Sequence, residues 1–185
     1  MIDQAAEPAW EQLARPWQRM PPGDWTTWLL QAGRGAGKTR AGAEATLKVA
    51  QEATRLIAEG RLTPQEARLA AIGPTATYAR DVMVDGASGL LRCSSPEFAP
   101  IYQPSQRKLT YPGGVEVRLF GADEPDRLRG SNFMWVWFDG FDGARRQNRD
   151  ALDNATAGLR AGPRPRRLIA EEVILGPPRS VTVRP

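Results

Sequence analysis

Apolar residues occur in short runs separated by polar, Gly- and Pro-rich stretches, and their spacing predicts alternating strands and helices. Residues 25–30, Trp-Thr-Thr-Trp-Leu-Leu, read as a short buried strand, bounded upstream by the turn signal Pro21-Pro22-Gly23-Asp24. Residues 38–59 are rich in Ala, Glu, Leu and Lys, contain no Pro, and have Gly42 as their one glycine. Ala45, Val49 and Leu56 fall near one face of the helix this composition predicts, and Gly60 is a natural stop. Residues 68–73 form a second buried-strand pattern, ended by Pro74-Thr75, and Thr75 or Thr77 can cap a short helix reaching Met83. Residues 107–111 and 115–120 flank Pro-Gly-Gly and alternate as a β-hairpin does. Residues 134–138 are the most apolar run and end in Asp139; a helix over 149–159 and a strand over 167–170 follow. This alternation predicts an α/β domain with a mostly parallel sheet. Residues 1–24 read as an N-terminal arm with short helical stretches broken by Pro8, Pro16 and Pro21-Pro22.

Composition narrows the chemistry. A chain of 185 residues is by default one domain, able to bury about 70% of its unfolded surface. No apolar run approaches the ~20 residues of a membrane helix, and the N-terminus has no signal-peptide pattern. Cys93 is the only cysteine and histidine is absent. An internal disulfide, a Cys/His zinc site and Ser–His or Cys–His catalysis are therefore ruled out, and a reducing cytoplasm is the simplest compartment. Net charge is uneven. Residues 144–185 hold nine Arg against four acids, whereas the rest of the chain has 16 basic and 17 acidic groups. Arg145, Arg146, Arg149, Arg160, Arg164, Arg166 and Arg167 either contact nucleic-acid phosphates or an acidic partner, or form an ordinary solvated surface. No aromatics interleave with them, which leaves base stacking without support.

The octapeptide 32–39, Ala-Gly-Arg-Gly-Ala-Gly-Lys-Thr, fits the Walker A pattern G-x-x-x-x-G-K-[ST] except at its first position, Ala32. Gly33, Gly35 and Gly37, with Arg34 and Ala36 between them, allow successive backbone N–H groups to face a phosphate chain unobstructed by Cβ atoms. Lys38 supplies a point charge for the β- and γ-phosphates, and Thr39 a hydroxyl for Mg²⁺, at a helix N-terminus that favours anions. Arg40 follows directly. The alternative is a flexible Gly/Ala loop, but the strand before it and the helix after it are the context the motif requires.

Trp135-Val136-Trp137-Phe138-Asp139 matches the Walker B pattern of four apolar residues and an acid. A strand ending at the carboxyl edge of the sheet aims Asp139 at a Mg²⁺ shell; otherwise Asp139 is a turn aspartate. ATPases of this type commonly follow that Asp with a Glu that orients the attacking water, and here the position is Gly140. A positioned base is worth about 10²–10⁴-fold in rate. Asp142 is a weak substitute, within reach only if the turn 140–143 folds back. ATP binding is thus predicted more firmly than hydrolysis.

The combination resembles the ATPase domain of the large terminase subunit of tailed bacteriophages and gene transfer agents. The segments that carry the resemblance are Pro-Pro-Gly-Asp-Trp (21–25), residues 28–44 around the loop, Gly-Pro-Thr (73–75), Arg-Asp-Val-Met (80–83), Ser-Gly-Leu-Leu (88–91), Leu-Thr-Tyr-Pro (109–112), Asp-Arg-Leu-Arg-Gly (126–130) and Gly-Leu-Arg (158–160). They span roughly residues 12–170, and Asp-Arg-Leu-Arg-Gly is the most specific of them. The resemblance implies a P-loop NTPase fold of the ASCE/RecA-like type, a mostly parallel sheet flanked by helices with an inserted β-hairpin. It also implies an ATP- and Mg²⁺-dependent motor that packages double-stranded DNA into a procapsid in the host cytoplasm. The motor is a homo-oligomeric ring at the portal protein, with a small terminase subunit as further partner. The phosphate-binding loop then comprises Gly33 to Arg40, with Mg²⁺ held by Thr39 and Asp139; Gln18 falls where an adenine contact is expected. Arg129 falls near the arginine that reaches a neighbour's γ-phosphate, a role suited to a permanently charged planar donor; the alternative is an ion pair with Asp123, Glu124 or Asp126. The domain is expected over 25–170, between the arm 1–24 and a Pro/Arg-rich tail 171–185.

Three departures accompany the resemblance. Gly140 replaces the catalytic Glu; Glu171-Glu172-Val173 replaces a Thr-rich coupling segment; the nuclease domain and its carboxylate cluster are expected to be absent, and with them DNA cleavage. A second class of function therefore stands beside the motor: a truncated or decayed terminase that binds nucleotide as a structural or regulatory module without turnover. A small P-loop kinase would need an acceptor site and a lid, and no segment suggests either.

Overall fold

In the computed structural model, which describes residues 10–172 and 177–183, the apolar runs become strands of one sheet. Pro8 of the arm, Val173, and residues 174–176, 184 and 185 of the tail lie outside the described residues. The arm forms a single turn, α1 (Trp10–Leu13), and a 3-10 turn at Pro16–Gln18. Strand β1 (Thr27–Ala32) leads through the glycine loop into the long helix α2 (Lys38–Ala58). Strand β2 (Arg68–Gly73) is followed by α3 (Ala76–Tyr78), a π-helical turn over Ala79–Val84, and α4 (Leu90–Cys93). Of the two candidate caps, Thr75 is the one used: its side chain accepts from the Tyr78 N–H. Three antiparallel strands follow, β3 (Ile101–Gln103), β4 (Lys108–Thr110) and β5 (Glu116–Gly121). The chain ends with β6 (Trp135–Phe141), α5 (Arg146–Gly158), β7 (Arg166–Glu172) and β8 (Arg179–Val183).

The strand order is β3-β4-β5-β2-β6-β7-β1-β8. The five strands from β5 to β1 are mutually parallel; β3, β4 and β8 run antiparallel to their neighbours. The pattern is a mostly parallel α/β sheet with the expected β4–β5 hairpin. Strand β7 lies between β1 and β6, so the loop after β1 and Asp139 on β6 flank its carboxyl end. Among the described residues, no helix is long and apolar enough to cross a membrane.

Helix α2 is the main cover of one face of the sheet and α5 of the other. Ala41, Ala45, Leu47, Ala50, Ala53 and Leu56 of α2 pack with Trp28, Leu30, Trp135, Trp137 and Leu168. Ala151 and Ala155 of α5 pack with Ala70, Ile72, Val136, Phe138 and Phe133 on the other face. The small residues of α2 allow a close approach. A Cβ at Gly42 would stand 2.2 Å from the Trp137 indole, so any larger residue there must push helix and strand apart. Four residues on, Thr46 donates to the Gly42 carbonyl (2.8 Å) and accepts from the Trp135 indole N–H (3.0 Å). Both contacts fix the start of α2, and with it the glycine loop, against the strand that carries Asp139.

Several elements differ from the sequence pattern. Strand β6 continues two residues past Asp139 through a bulge, and α5 begins at Arg146, ahead of residue 149. The tail is not only tail: 179–183 returns antiparallel along β1, and Trp28 donates its indole N–H to Ser180 (2.8 Å). Pro177, Pro178 and the flanking arginines hide the Ser-Val-Thr-Val alternation that makes this edge strand. Strand β3 is three residues long, and Ile101 is exposed, so it leaves no pattern to read.

Candidate functional site

The loop between β1 and α2 turns through two left-handed glycines, Gly35 (φ 72°) and Gly37 (φ 88°). Gly37 is needed twice, because a Cβ there would also stand 2.5 Å from Gln18 Nε2. Gln18 is buried, donates to the carbonyls of Ala36 (3.1 Å) and Gly37 (3.5 Å), and accepts from the Arg15 N–H (2.9 Å). In this state it buttresses the loop through both ends of its amide. Lys38 opens α2 and curls back, donating from Nζ to the carbonyls of Ala32 (2.8 Å) and Gly33 (2.9 Å). Arg34 and Gly35 are exposed at the rim. Arg40 lines the same cleft but is tethered, pairing with Glu44 (2.7 Å) and lying over the Trp10 ring.

Thr39 and Asp139 meet across the sheet edge. Thr39 Oγ1 donates to Asp139 Oδ2 at 2.7 Å, and the Tyr78 hydroxyl reaches the same oxygen at 3.2 Å. Asp139 is almost fully buried (1% exposed), and burial pushes its carboxyl above the usual range despite the opposing Thr39 and Tyr78 hydrogen bonds and the Lys38 charge. A buried carboxylate beside a hydroxyl is a site that presents hard oxygen donors; because the Lys38 ammonium already offsets the carboxylate, the charge of a cation there would be met by the phosphates of a bound nucleotide. Its donor set of one carboxylate and one hydroxyl oxygen fits Mg²⁺, which keeps several waters and takes its remaining ligands from phosphates. These residues line a cleft of about 880 Å³, together with Arg34, Gly35, Gly37, Pro74 and residues 140–142.

Gly140 follows Asp139 as the bulge residue of β6, with φ 67°. A Cβ built there would lie 3.1 Å from Pro74 Cγ. Asp142 is exposed, and its carboxylate accepts from the Ala144 N–H (3.0 Å) and Arg145 Nε (3.2 Å). Arg129 lies outside the cleft with its side chain 70% exposed, and of its three candidate partners it pairs with Asp126 (3.2 Å). Glu124 instead pairs with Arg107 (2.8 Å) and Arg127 (3.6 Å).

Motif reading missed Tyr78, Glu171 and Asn148. Tyr78 sits on a short helix with no motif of its own. Glu171 and the buried Asn148 line the same cleft. The signal for Glu171 was present as a departure, an acid where threonine was expected. A second cavity of about 550 Å³ lies between the arm and α2. Cys93 lines it, but burial pushes its thiol up to about 12, which keeps it protonated and unreactive.

The arginines of the last third are mostly committed within the fold. Arg145 and Arg146 pair with Asp142 and Asp150, Arg149 donates to the carbonyls of Gly143 and Ala144, and Arg160 to Asn132. Arg166 lies over the Trp25 ring, and Arg167 donates to Thr156.

A family model described as "Terminase large subunit, T4likevirus-type, N-terminal" matches residues 29–155. No curated protein matches the chain. Among solved structures, the ATPase domain of the Thermus Phage P74-26 large terminase is 17% identical, with a TM-score of 0.55 over 88% of this chain and 66% of that one. The large terminase of another thermophilic bacteriophage, solved in complex with ADP, is 16% identical, with a TM-score of 0.55 over 84% of this chain and 36% of that one. The chain thus spans less than two thirds of either structure. At these identities the likeness establishes the fold.

Proposed function

The chain belongs to the family of terminase large-subunit N-terminal domains, and we propose that it is the ATP-binding, ATPase module of a motor that packages double-stranded viral DNA. The observation that carries this reading is the meeting of Thr39 Oγ1 and Asp139 Oδ2 at 2.7 Å, from positions 100 residues apart, beside Lys38 and the glycine loop. The ADP complex of the thermophilic bacteriophage terminase supports an adenine nucleotide as ligand. In the proposed mechanism, loop amides and the α2 N-terminus take the β- and γ-phosphates. Lys38 moves from the carbonyls of Ala32 and Gly33 to the phosphate oxygens, and Arg34 reaches in from the rim. Thr39 and Asp139 would hold Mg²⁺, which neutralises charge on the phosphates. Gln18 and Gly37 keep the loop in its binding shape, and a base contact by Gln18 needs its amide to leave the loop carbonyls.

The motor reading adds an Arg129 that serves a neighbouring subunit's nucleotide. Subunits form a ring on a portal protein in the host cytoplasm, with a small terminase subunit as partner. Residues 25–170 are the ATPase unit, extended by β8, and 1–24 the arm, whose Gln18 braces the loop. The test is equilibrium binding of a fluorescent ATP analogue in Mg²⁺. Lys38→Ala is expected to lose about tenfold or more in affinity, the scale of one charge-assisted hydrogen bond set; unchanged affinity overturns the proposal.

Gly140 favours a second reading, a terminase-derived module that binds nucleotide without hydrolysing it and acts structurally or as a regulator. Phosphate release by the wild-type chain separates the two, since sustained turnover excludes the second.

A further inference from the structure

The proposed ATPase lacks an acid directly after Asp139, and the backbone explains why none can be grafted there: Gly140 is left-handed, and its missing Cβ faces Pro74. Hydrolysis nevertheless calls for a polar side chain near the γ-phosphate to orient the water, and a carboxylate can also take its proton. The candidates in the cleft are few. Asp139 is buried beside Thr39 and is the cation ligand. Asp142 is tied to the Ala144 N–H and Arg145.

Glu171 remains. Strand β7 is the one strand that touches both β1 and β6, and Glu171 is in register with Gln31 on β1 and Phe141 on β6. Adjacent strands are about 4.8 Å apart, so Glu171 sits one spacing from the root of the phosphate loop and one from the bulge after Asp139. It is half-buried and lines the cleft with Lys38, Thr39 and Asp139. Its Oε2 accepts from Gln31 Nε2 at 2.6 Å, a neutral tether that leaves Oε1 without a partner among the described residues. No Lys or Arg among the described residues pairs with it. Asn148 borders the same space, buried to 4% exposure and without a side-chain hydrogen bond to the described residues. It offers a second polar group to an ordered water.

We propose that Glu171 is the catalytic carboxylate, displaced from the end of the Asp139 strand to the end of its neighbour, with Gln31 as its positioning residue. This rests on the reading of the cleft as an ATP site. In the step, a water oxygen bonds to the γ-phosphorus as the bond from that phosphorus to the β-phosphate oxygen breaks. Glu171 accepts the water proton and later returns it to solvent, and ADP and inorganic phosphate leave.

The experiment uses the full chain, wild type and Glu171→Gln, with phosphate release and equilibrium binding of a fluorescent ATP analogue both measured. Glu171→Gln is expected to keep nucleotide affinity within about twofold, since one neutral hydrogen bond at most is altered, and to lower turnover by about 10²–10⁴-fold. Equal turnover in the two proteins overturns the inference, as does a wild type that binds nucleotide but releases no phosphate. A wild type that fails to bind nucleotide overturns the underlying ATP-site reading instead. If Glu171→Gln does not fold, Glu171→Asp, which keeps the acid and shortens its reach by one carbon, takes its place. At least tenfold lower turnover with preserved binding then sustains the inference, and unchanged turnover overturns it.

Discussion

Gly140 shows how one residue decides which chemistry a site can hold. Its φ of 67° costs a residue with a Cβ about 1–2 kcal/mol, and the contact with Pro74 Cγ at 3.1 Å adds to that. Gly140→Ala is therefore expected to lower stability by at least about 1–2 kcal/mol in urea denaturation. Gly140→Glu should carry the same loss without raising phosphate release, because its side chain leaves from a bulge and not from the extended position that follows an ordinary strand aspartate. A gain in turnover would show that the bulge is not the obstacle. At this scale the sequence was legible wherever chemistry is written in contiguous residues. Lys38 and Thr39 are fixed by their place after Gly37, and Asp139 by the apolar run before it. Tyr78 and Glu171 were not, because each joins the cleft only through what folding brings beside it: Asp139 for the one, Gln31 for the other.

At the scale of elements, the pairing of α2 with β6 joins the two halves of the site. Thr46 is the hinge pin of that pairing, accepting from the buried Trp135 indole while donating to the Gly42 carbonyl. Thr46→Val keeps the shape and removes the acceptor, stranding a buried N–H. The expected loss is about 1–3 kcal/mol in urea denaturation, and a loss below about 0.5 kcal/mol would mean the indole finds another partner. The strands and helices that frame this contact were readable because each has its own period: β2 appears at its predicted bounds, and α2 within one residue of them. Strand β8 was not, since its pattern is short, sits behind two prolines, and becomes a strand only by pairing with β1. The extension of β6 through Gly140 was equally hidden, because a glycine after an aspartate reads as a turn and only the β7 ladder makes it a bulge.

For the whole molecule, the question is whether one chain completes its own site. The cleft holds the proposed phosphate loop, the proposed cation acid Asp139 and, in Glu171, the proposed base, but among the described residues Arg34 and Arg145 are its only arginines besides the tethered Arg40. Arg145 is already paired with Asp142. Arg129, on the segment after β5, stands in solvent with only Asp126 for company among the described residues. It reaches a nucleotide only if that nucleotide belongs to another subunit, and an arginine supplied in trans is worth about 10³–10⁵-fold in rate. The sequence placed Arg129 by resemblance, and it could not choose between finger and ion pair because that choice depends on a second copy. Subunit mixing makes the choice. Lys38→Ala weakens nucleotide binding in a subunit that still carries Arg129, and the assay is run at an ATP concentration that fills only the intact loop; Arg129→Ala removes the arginine from a subunit whose loop is intact. Neither alone should turn over. In a one-to-one mixture, random head-to-tail assembly places an intact arginine beside an intact loop at about a quarter of interfaces, so phosphate release should recover to about a quarter of the wild-type rate. Recovery of that size requires an arginine donated across an interface. Its absence, in a mixture shown by light scattering to assemble, would assign Arg129 to its ion pair with Asp126.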